Sequence, residues 1–310
     1  MTSSGGNTRL RLMEVFHNQF YTPIHVAVAG GFLYREGLDV LFSTVPSGQT
    51  AGALLRDGKV DIVQTGLSRS LMELDEGYEE AALHVAEVNQ RDGFYLVSRE
   101  PTDGWTWKDI EGATFIPVGF TPVPWMSLRF ALKSNGVDIE SIKLIEGLSA
   151  QEALERFRNG EADYIQMPNP QAQQLVQDGA GHVAVAIGDA LGYICYSSFA
   201  VTPKYLDSNT DVIQRFVNGF FNAQKWLAAS EASEVVEAVA SFFPETSSDV
   251  LERGVRLYKE QHTWATDPLI GEDGFTTLRD VLIDGGLVKG SHAYERLVRP
   301  EFARKAMQQG

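Results

Sequence analysis

Polar and aromatic side chains cluster directly after the β-like segments of this sequence. In an open α/β sheet, a ligand lies beyond the carboxyl ends of the strands, so residues at these positions would meet it. Their hydroxyl, amide and ring groups suit the binding of a small molecule through hydrogen bonds and stacking. The candidate ligand-binding residues are His17, Asn18, Phe20, Tyr21, Thr22, Ser47, Gln49, Thr65, Ser68, Arg69, Asn89, Phe120, Thr121, Trp125, Asn169 and Tyr196.

Arg69 is the strong cation of this set. A guanidinium can clamp a carboxylate, sulfonate or phosphate, and helix starts predicted nearby would add backbone N–H groups that favour an anion. The aromatic members could sandwich a flat or apolar body. We therefore expect a small anionic or heteroaromatic ligand. The alternative leaves Arg69 as a solvated surface residue and each ring as ordinary packing.

Signatures of catalysis and metal binding are absent from the sequence. It has no nucleophile elbow, P-loop, dinucleotide-binding glycine motif or zinc-protease motif. Cys195 is the one cysteine, which excludes an internal disulfide and a cysteine-based metal cluster. The six histidines show no metal-ligand spacing, and His17 and His25 are not expected to share a site because a loop and a helix start separate them. We predict no catalytic residue, metal site or cofactor.

Alternating β-like and helical segments must position these residues. The first half reads as strands at 9–17, 38–46, 61–67, 82–88 and 94–98, with helices at 22–37, 47–57 and 68–76. The second half reads as strands at 114–119, 142–146, 164–167, 182–187 and 196–201, with helices at 121–135, 150–159 and from about 169. After Pro203 the pattern is helical almost to the end. This order predicts an α/β protein with mostly parallel sheets covered by helices on both faces.

Two local matches indicate that the halves are related. Residues 55–61 (LRDGKVD) resemble residues 157–163 (FRNGEAD), and residues 20–23 (FYTP) resemble residues 119–122 (GFTP). Either match alone is explained by generic turn and capping chemistry. Because both occur at nearly the same offset, we predict two related α/β lobes.

Acidic residues outnumber basic ones, 41 to 26, which gives a formal charge of −15 and a pI near 4.8. Such a surface argues against binding to nucleic acid or to anionic lipid. No stretch approaches the roughly 20 apolar residues of a membrane helix, so no membrane insertion is expected. The start of the sequence lacks the basic and apolar regions of a secretory signal. We expect a cytoplasmic location for the chain as it stands, and an extracytoplasmic one if a signal was removed.

Residues 25–66 resemble the start of ABC-transporter-type substrate-binding proteins of the sulfonate, nitrate and thiamine-precursor type. The resemblance rests on the phrase EGLDV at 36–40 and the phrase GKVD at 58–61. Residues 201–227 and 278–307 are similar to the return helix and the C-terminal segment of that family. The resemblance therefore covers nearly the whole chain.

The resemblance implies the type II periplasmic-binding-protein fold, in which two α/β lobes enclose a ligand cleft and two crossing strands form the hinge. The crossings would fall near 94–98 and 197–202. Lobe one would be discontinuous, built from 1–97 and 203–310, with lobe two at 98–202. The implied partners are a small-molecule ligand and an ABC permease, and the protein would be a monomer or weak dimer.

An enzyme on the same fold is the alternative function. The pyrimidine synthase of thiamine biosynthesis, which this chain resembles, has a cofactor-binding lysine and a reacting histidine where this sequence has Thr65 and Arg69. Its cysteine cluster is reduced here to Cys195, and the cysteine that desulfinases of this fold carry near the first strand is missing. An enzyme would have to use another residue, with His17 as the candidate base. A cytoplasmic ligand sensor is the third hypothesis.

Overall fold

Two five-stranded mixed sheets organise the chain in the computed structural model, which describes residues 7–119 and 121–309. The first sheet has the order β2-β1-β3-β10-β4. Its strands are β1 (Thr8–Glu14), β2 (Leu38–Thr44), β3 (Ile62–Thr65), β4 (Leu83–Asn89) and β10 (Ser197–Val201). The second sheet has the order β7-β6-β8-β5-β9. Its strands are β5 (Phe94–Ser98), β6 (Thr114–Ile116), β7 (Lys143–Leu144), β8 (Tyr164–Pro168) and β9 (His182–Ala186).

The two sheets repeat one topology. In the first, β1 runs parallel to β2 and β3, while β10 runs antiparallel to β3 and β4. In the second, β6 runs parallel to β7 and β8, while β5 runs antiparallel to β8 and β9. Strand β5, which follows the strands of the first half, thus joins the second sheet. Strand β10, which follows the strands of the second half, joins the first sheet. The predicted α/β class with two related sheets is confirmed, whereas the prediction of mostly parallel sheets is wrong, because each sheet has two parallel and two antiparallel pairings.

Fourteen helices surround the sheets within the described residues. Those in the first half are α1 (Thr22–Ala29), α2 (Phe32–Arg35), α3 (Ala51–Arg56) and α4 (Leu67–Asp75). Those in the second half are α5 (Pro122–Ser134), α6 (Ala150–Arg158), α7 (Gln171–Gln177) and α8 (Ile187–Leu191). The C-terminal region adds α9 (Pro203–Ser208), α10 (Thr210–Ala229), α11 (Ala232–Val239), α12 (Ser248–Glu260), α13 (Glu272–Asp284) and α14 (Glu301–Gln309).

The C-terminal helices pack on both halves of the molecule. Helix α10 lies against α1, α2 and α14, while α12 contacts α7 and α13 contacts α5. The core beneath α10 is aromatic, since the ring of Phe199 lies 4.7 Å from those of both Phe216 and Phe220 in edge-on geometry. This C-terminal layer therefore spans the region between the two sheets.

The repeated turn seen in the sequence has the same structural role in each half. Gly58 and Gly160 both adopt the left-handed conformation that follows a helix end, with φ of 63° and 87°. The aspartate that follows then accepts a backbone N–H from β1 in the first sheet or from β6 in the second, and these two strands occupy the same position in their sheets. Asp61 Oδ2 lies 2.8 Å from Arg11 N, and Asp163 Oδ2 lies 2.7 Å from Thr114 N.

Several boundaries differ from the sequence prediction. The helix predicted at 22–37 is interrupted, because Gly31 takes a left-handed φ of 68° between α1 and α2. The helix predicted at 47–57 begins only at Ala51, where the hydroxyl of Thr50 accepts the N–H of Ala53 at 3.3 Å. Helix α8 was not predicted. Among the described residues, no helix combines the length and apolar character needed to cross a bilayer.

Candidate functional site

A small cavity lies where strand ends of the first sheet meet the start of α5. Its volume is about 50 Å³. The first-sheet side is formed by residues that follow β1 and β3 and by Tyr196, just before β10. The other side is formed by the first turn of α5. We call it the interlobe cavity, and it is lined by Val15, Phe16, Tyr21, Gly66, Ser68, Phe94, Thr121, Val123, Pro124 and Tyr196.

Aromatic rings form much of the cavity wall. The ring centroid of Tyr21 lies 5.0 Å from that of Phe16, and the ring of Tyr196 lies 6.2 Å from that of Phe94. Phe20 packs behind them, 5.4 Å from Tyr196, and is fully buried. Stacked and edge-on rings of this kind provide a flat apolar surface for a planar ligand.

The polar groups at the cavity are uncharged. Ser68, Thr121 and the phenols of Tyr21 and Tyr196 supply hydroxyls, and burial raises the pKa of both phenols above their ordinary value. No lysine or arginine is found among its described lining residues. The cavity therefore offers hydrogen bonds and aromatic surface rather than a cationic clamp.

Hydrogen bonds from neighbouring segments fix the cavity floor. The carbonyl oxygen of Phe20 accepts from Asn89 Nδ2 at 2.8 Å and from Trp264 Nε1 at 2.9 Å. Asn89 Oδ1 in turn accepts from the hydroxyl of Ser197. Asn89 is fully buried, so this predicted site residue holds the floor in place instead of lining the cavity.

Four of the predicted site residues line the cavity together, namely Tyr21, Ser68, Thr121 and Tyr196. Ser47 and Gln49 do not, because they lie in an exposed loop ahead of α3. Phe120 lies outside the described residues.

Arg69 and Thr65 line a different cavity. This second cavity, of about 270 Å³, lies between α3 and α4 on the first half of the chain. Its other charged groups include Arg56 and Glu73, which form an ion pair at 2.9 Å. Arg69 itself is exposed. Its lining residues all come from the first half of the chain, so this cavity does not lie between the two halves.

The remaining predicted residues are largely buried in supporting contacts. Thr22 donates its hydroxyl to Gln19 O at 2.7 Å and is the first residue of α1, whose N-cap is Tyr21. Trp125 packs its ring 5.3 Å from that of Phe115. Asn18 caps the turn at Gln19–Tyr21 through the N–H of Phe20 at 2.9 Å.

Asn18 and Asn169 also lie where the two halves of the chain meet. Asn18 Nδ2 donates to Gln171 Oε1 at 3.3 Å. The backbone N–H of Asn169 donates to the Tyr258 hydroxyl at 2.9 Å, while its side-chain amide is buried and makes no hydrogen bond. Both residues therefore belong to the contact between the halves rather than to the cavity lining.

Comparison with known proteins assigns the family. The model of the NMT1-like family matches residues 12–241. The chain belongs to the NMT1-like family. It is 30% identical over 300 residues to a Bacillus subtilis (strain 168) protein named "Putative binding protein YtlA", an alignment that covers 96% of this chain and 90% of that protein.

Solved structures similar to this NMT1-like chain share its fold at low sequence identity. The periplasmic aliphatic sulphonate binding protein SsuA of Escherichia coli matches with a TM-score of 0.73 and 16% identity, covering 94% of this chain and 92% of that one. The desulfurization enzyme DszB matches with a TM-score of 0.72 and 14% identity, covering 98% and 99%. Both a binding protein and an enzyme therefore share this two-sheet architecture.

A cluster of Glu14, His17 and His25 in this NMT1-like protein was not anticipated. His17 Nδ1 donates to Glu14 Oε1 at 2.6 Å, and His25 Nε2 donates to Glu14 Oε2 at 3.0 Å. The expectation that the two histidines do not share a site is wrong, because the turn at Gln19–Tyr21 folds α1 back onto the end of β1. The donor atoms lie within 4.8 Å of one another, a spacing that could hold a metal ion, although these hydrogen bonds account for them without one.

Protonation in this cluster follows from its geometry. His17 Nε2 also donates to Phe242 O at 2.7 Å, so both ring nitrogens face acceptors and the imidazolium form is favoured. The hydrogen bond with Glu14 raises the pKa of His17. Burial acts to raise the pKa of Glu14, but its bonds with the two histidines outweigh burial and lower it. Burial lowers the pKa of His25, which stays neutral. His17 therefore forms an ion pair with Glu14 and does not line the interlobe cavity.

Sequence reasoning missed the apolar half of the cavity lining and a buried acid behind it. Val15, Phe94, Val123 and Pro124 line the cavity, yet apolar residues at strand ends carry no distinguishing signal. Asp92 follows β4 in the loop to β5, so the strand-end rule that selected Asn89 would have reached it three residues later.

Proposed function

We propose that this protein is a non-catalytic solute-binding protein that holds a small, flat ligand at the interlobe cavity, which has to widen from its volume of about 50 Å³ to admit one. The observation that carries the proposal is a cavity whose walls come from both halves of the chain and are largely aromatic. Of the two ligand classes that the sequence leaves open, the cavity favours the heteroaromatic one. Its uncharged hydroxyls and rings, and the position of Arg69 outside it, support this choice.

The lobe boundaries are part of this proposal. Lobe one comprises 1–97 and 203–310, and lobe two comprises 98–202. The chain would cross between them at β5 and β10, each of which pairs antiparallel inside a sheet made mostly by the other segment. Two crossings of this kind form a hinge, and a ligand bound between the lobes would favour the closed arrangement through its higher affinity for it.

An ABC permease is the proposed partner. Its support is the likeness of the fold to a Methylobacillus flagellatus protein named "putative sulfonate ABC transporter, periplasmic sulfonate-binding protein SsuA", with a TM-score of 0.76 at 15% identity. Closure would present one surface formed by both lobes, which a permease can distinguish from the open form.

Native mass spectrometry of the purified protein tests the binding function. We expect an intact small molecule to be retained, and we expect Ser68→Phe to lose it, because a bulky side chain at this buried position would fill the interlobe cavity. Ser47→Phe is the matched control, since Ser47 was predicted for the site but lies in an exposed loop. Equal retention by both variants, with both folded by circular dichroism, would contradict the proposed site.

A further inference from the structure

Three buried polar atoms that make no well-formed hydrogen bond belong to residues close to one another, and one of these residues lines the interlobe cavity. They are Asp92 Oδ2, Ser127 Oγ and the hydroxyl of Tyr196. Each residue is at least nine-tenths buried. Buried polar groups are almost always paired in folded proteins, because leaving one unpaired costs about 1–3 kcal/mol. The hydroxyls of Ser127 and Tyr196 lie close enough to Asp92 to lower its pKa, so the three groups form one buried polar cluster whose mutual hydrogen bonds are poorly formed.

The cluster adjoins the cavity through its neighbours. Tyr196 lines the cavity directly, and Ser127 lies on α5, whose first turn forms one wall. Asp92 is held by one oxygen only, since Oδ1 accepts the N–H of Phe94, another cavity residue, at 2.8 Å. The second oxygen, Oδ2, makes no well-formed hydrogen bond, although the hydroxyls of Ser127 and Tyr196 lie near the carboxyl group.

Among the described residues, no cation shifts the pKa of Asp92. Burial raises the pKa of Asp92 to about 7, and the nearby hydroxyls of Ser127 and Tyr196 only partly oppose this effect. The phenols of Tyr95 and Tyr258 also interact electrostatically with Asp92. A buried carboxyl of this kind gains most from a donor that brings both N–H groups and positive charge.

We propose that Asp92, with Ser127 and Tyr196, recognises an N–H donor group of the ligand, such as an amidine or an amino-substituted heteroaromatic cation. The inference rests on the proposed binding function and narrows it. The aromatic cavity wall takes the flat ring, and the Asp92 carboxylate takes the donor group beside Tyr196. Asp92 is then the residue that selects against anionic ligands of the same shape.

Three probes of nearly equal shape test this selection: benzamidine, benzamide and benzoate. By isothermal titration calorimetry, we expect benzamidine to bind at least about ten-fold more tightly than benzoate, with benzamide between them. In Asp92→Asn the preference should fall to about two-fold or less, because the new amide keeps the acceptor for Phe94 N but replaces the free oxygen with a donor. Ser127→Ala should weaken benzamidine binding by a smaller factor.

Asp189→Asn is the matched control, because Asp189 is exposed and its 3.4 Å ion pair is with Arg91. It should keep the benzamidine preference. Thermal unfolding of each variant separates a folding defect from a binding defect.

Benzoate binding as tightly as benzamidine overturns the inference, as does a benzamidine preference that survives in Asp92→Asn. Failure of all three probes to bind also overturns it. If a buried water satisfies the three atoms instead, the variants would change thermal stability but not ligand preference, and the inference is wrong. The proposed binding function is judged separately by the retention of a small molecule in native mass spectrometry, so the two can fail independently.

Discussion

His17 and Glu14 form an ion pair whose strength depends on pH. Because Glu14 raises the pKa of His17 in the folded protein, the pair stabilises the fold fully below the unfolded histidine pKa of about 6.5. That contribution is lost as pH rises through the higher folded pKa. On the acid side, the lowered pKa of Glu14 means that its contribution is lost only as pH falls through that lowered value.

We therefore predict that His17→Gln lowers the free energy of unfolding more at about pH 5.5 than at about pH 8.5. The difference should stay below about 1 kcal/mol, because His17 is partly exposed and water screens the pair. Urea denaturation at both pH values measures it. His182→Gln, which changes an exposed histidine at the start of β9, is the control and should show no such trend. A deficit that grows with pH would contradict the assignment.

At the residue scale, choosing the residues that follow each strand identified the polar residues of the cavity. It did not show which of two adjacent side chains faces the cavity. Ser68 and Arg69 are adjacent in sequence, yet only Ser68 lines the interlobe cavity. Successive residues of a helix point about 100° apart, so one faces the cavity and the next faces away. The exact start of α4 decides which, and sequence patterns locate helix starts only approximately.

Helix α10 shows how closely two elements can approach when a glycine lies between them. A Cβ at Gly219 would lie 2.9 Å from Phe32 O and 3.1 Å from Glu36 Cγ. The first of these is a backbone atom of α2 that cannot move aside without shifting the helix. Gly219 therefore sets the spacing between α10 and α2.

Gly219→Ala should destabilise the protein by about 1–3 kcal/mol, despite the better helix propensity of alanine, because of overpacking against α2. Chemical denaturation measures the loss. Asn222→Ala, at an exposed position of the same helix, is the matched control and should change stability by less than about 0.5 kcal/mol. Equal stability of Gly219→Ala and the unmodified protein would show that the helices can separate.

Element types were largely predictable from the sequence, whereas some boundaries were not. Periodicity and capping signals identify α5 and α6 almost to the residue. The break between α1 and α2 depends on one left-handed glycine, and Gly30 and Gly31 are equally permissive in sequence. Tertiary packing of α2 against α10 selects the break, which no local pattern encodes.

On the scale of the whole molecule, the two halves are also joined by contacts between α5 and α13. Lys133 on α5 forms an ion pair with Asp284 on α13. Both side chains are partly exposed, so the pair contributes less than about 1 kcal/mol. A change of this size still alters a two-state opening equilibrium by up to about five-fold.

Lys133→Glu should favour the open form, because two carboxylates would then face each other. Small-angle X-ray scattering of the ligand-free protein should show a larger radius of gyration. The double variant Lys133→Glu with Asp284→Lys restores opposite charges and should return the radius toward its original value. If the single variant leaves the radius unchanged, this ion pair does not contribute to closure.

The repeated strand order was predictable as two related halves, but the exchange of strands was visible only through a family resemblance. The hydrophobic patterns of β5 and β10 do not differ from those of the neighbouring strands. Which sheet each one enters depends on pairings between residues more than 60 positions apart, such as Phe94 with Pro168. Such long-range pairing has no signature in a single sequence.

The position of β10 also governs the order in which the molecule can be completed during synthesis. In the first sheet, β10 lies between β3 and β4, so those two strands do not pair with each other. A nascent chain that ends before Ser197 therefore carries β4 with no strand partner in its sheet, and both β3 and β4 expose an unpaired edge. The ribosome must extend the chain beyond Val201 before this sheet can close. Until then the open edges are a site where chaperones would bind or aggregation would begin.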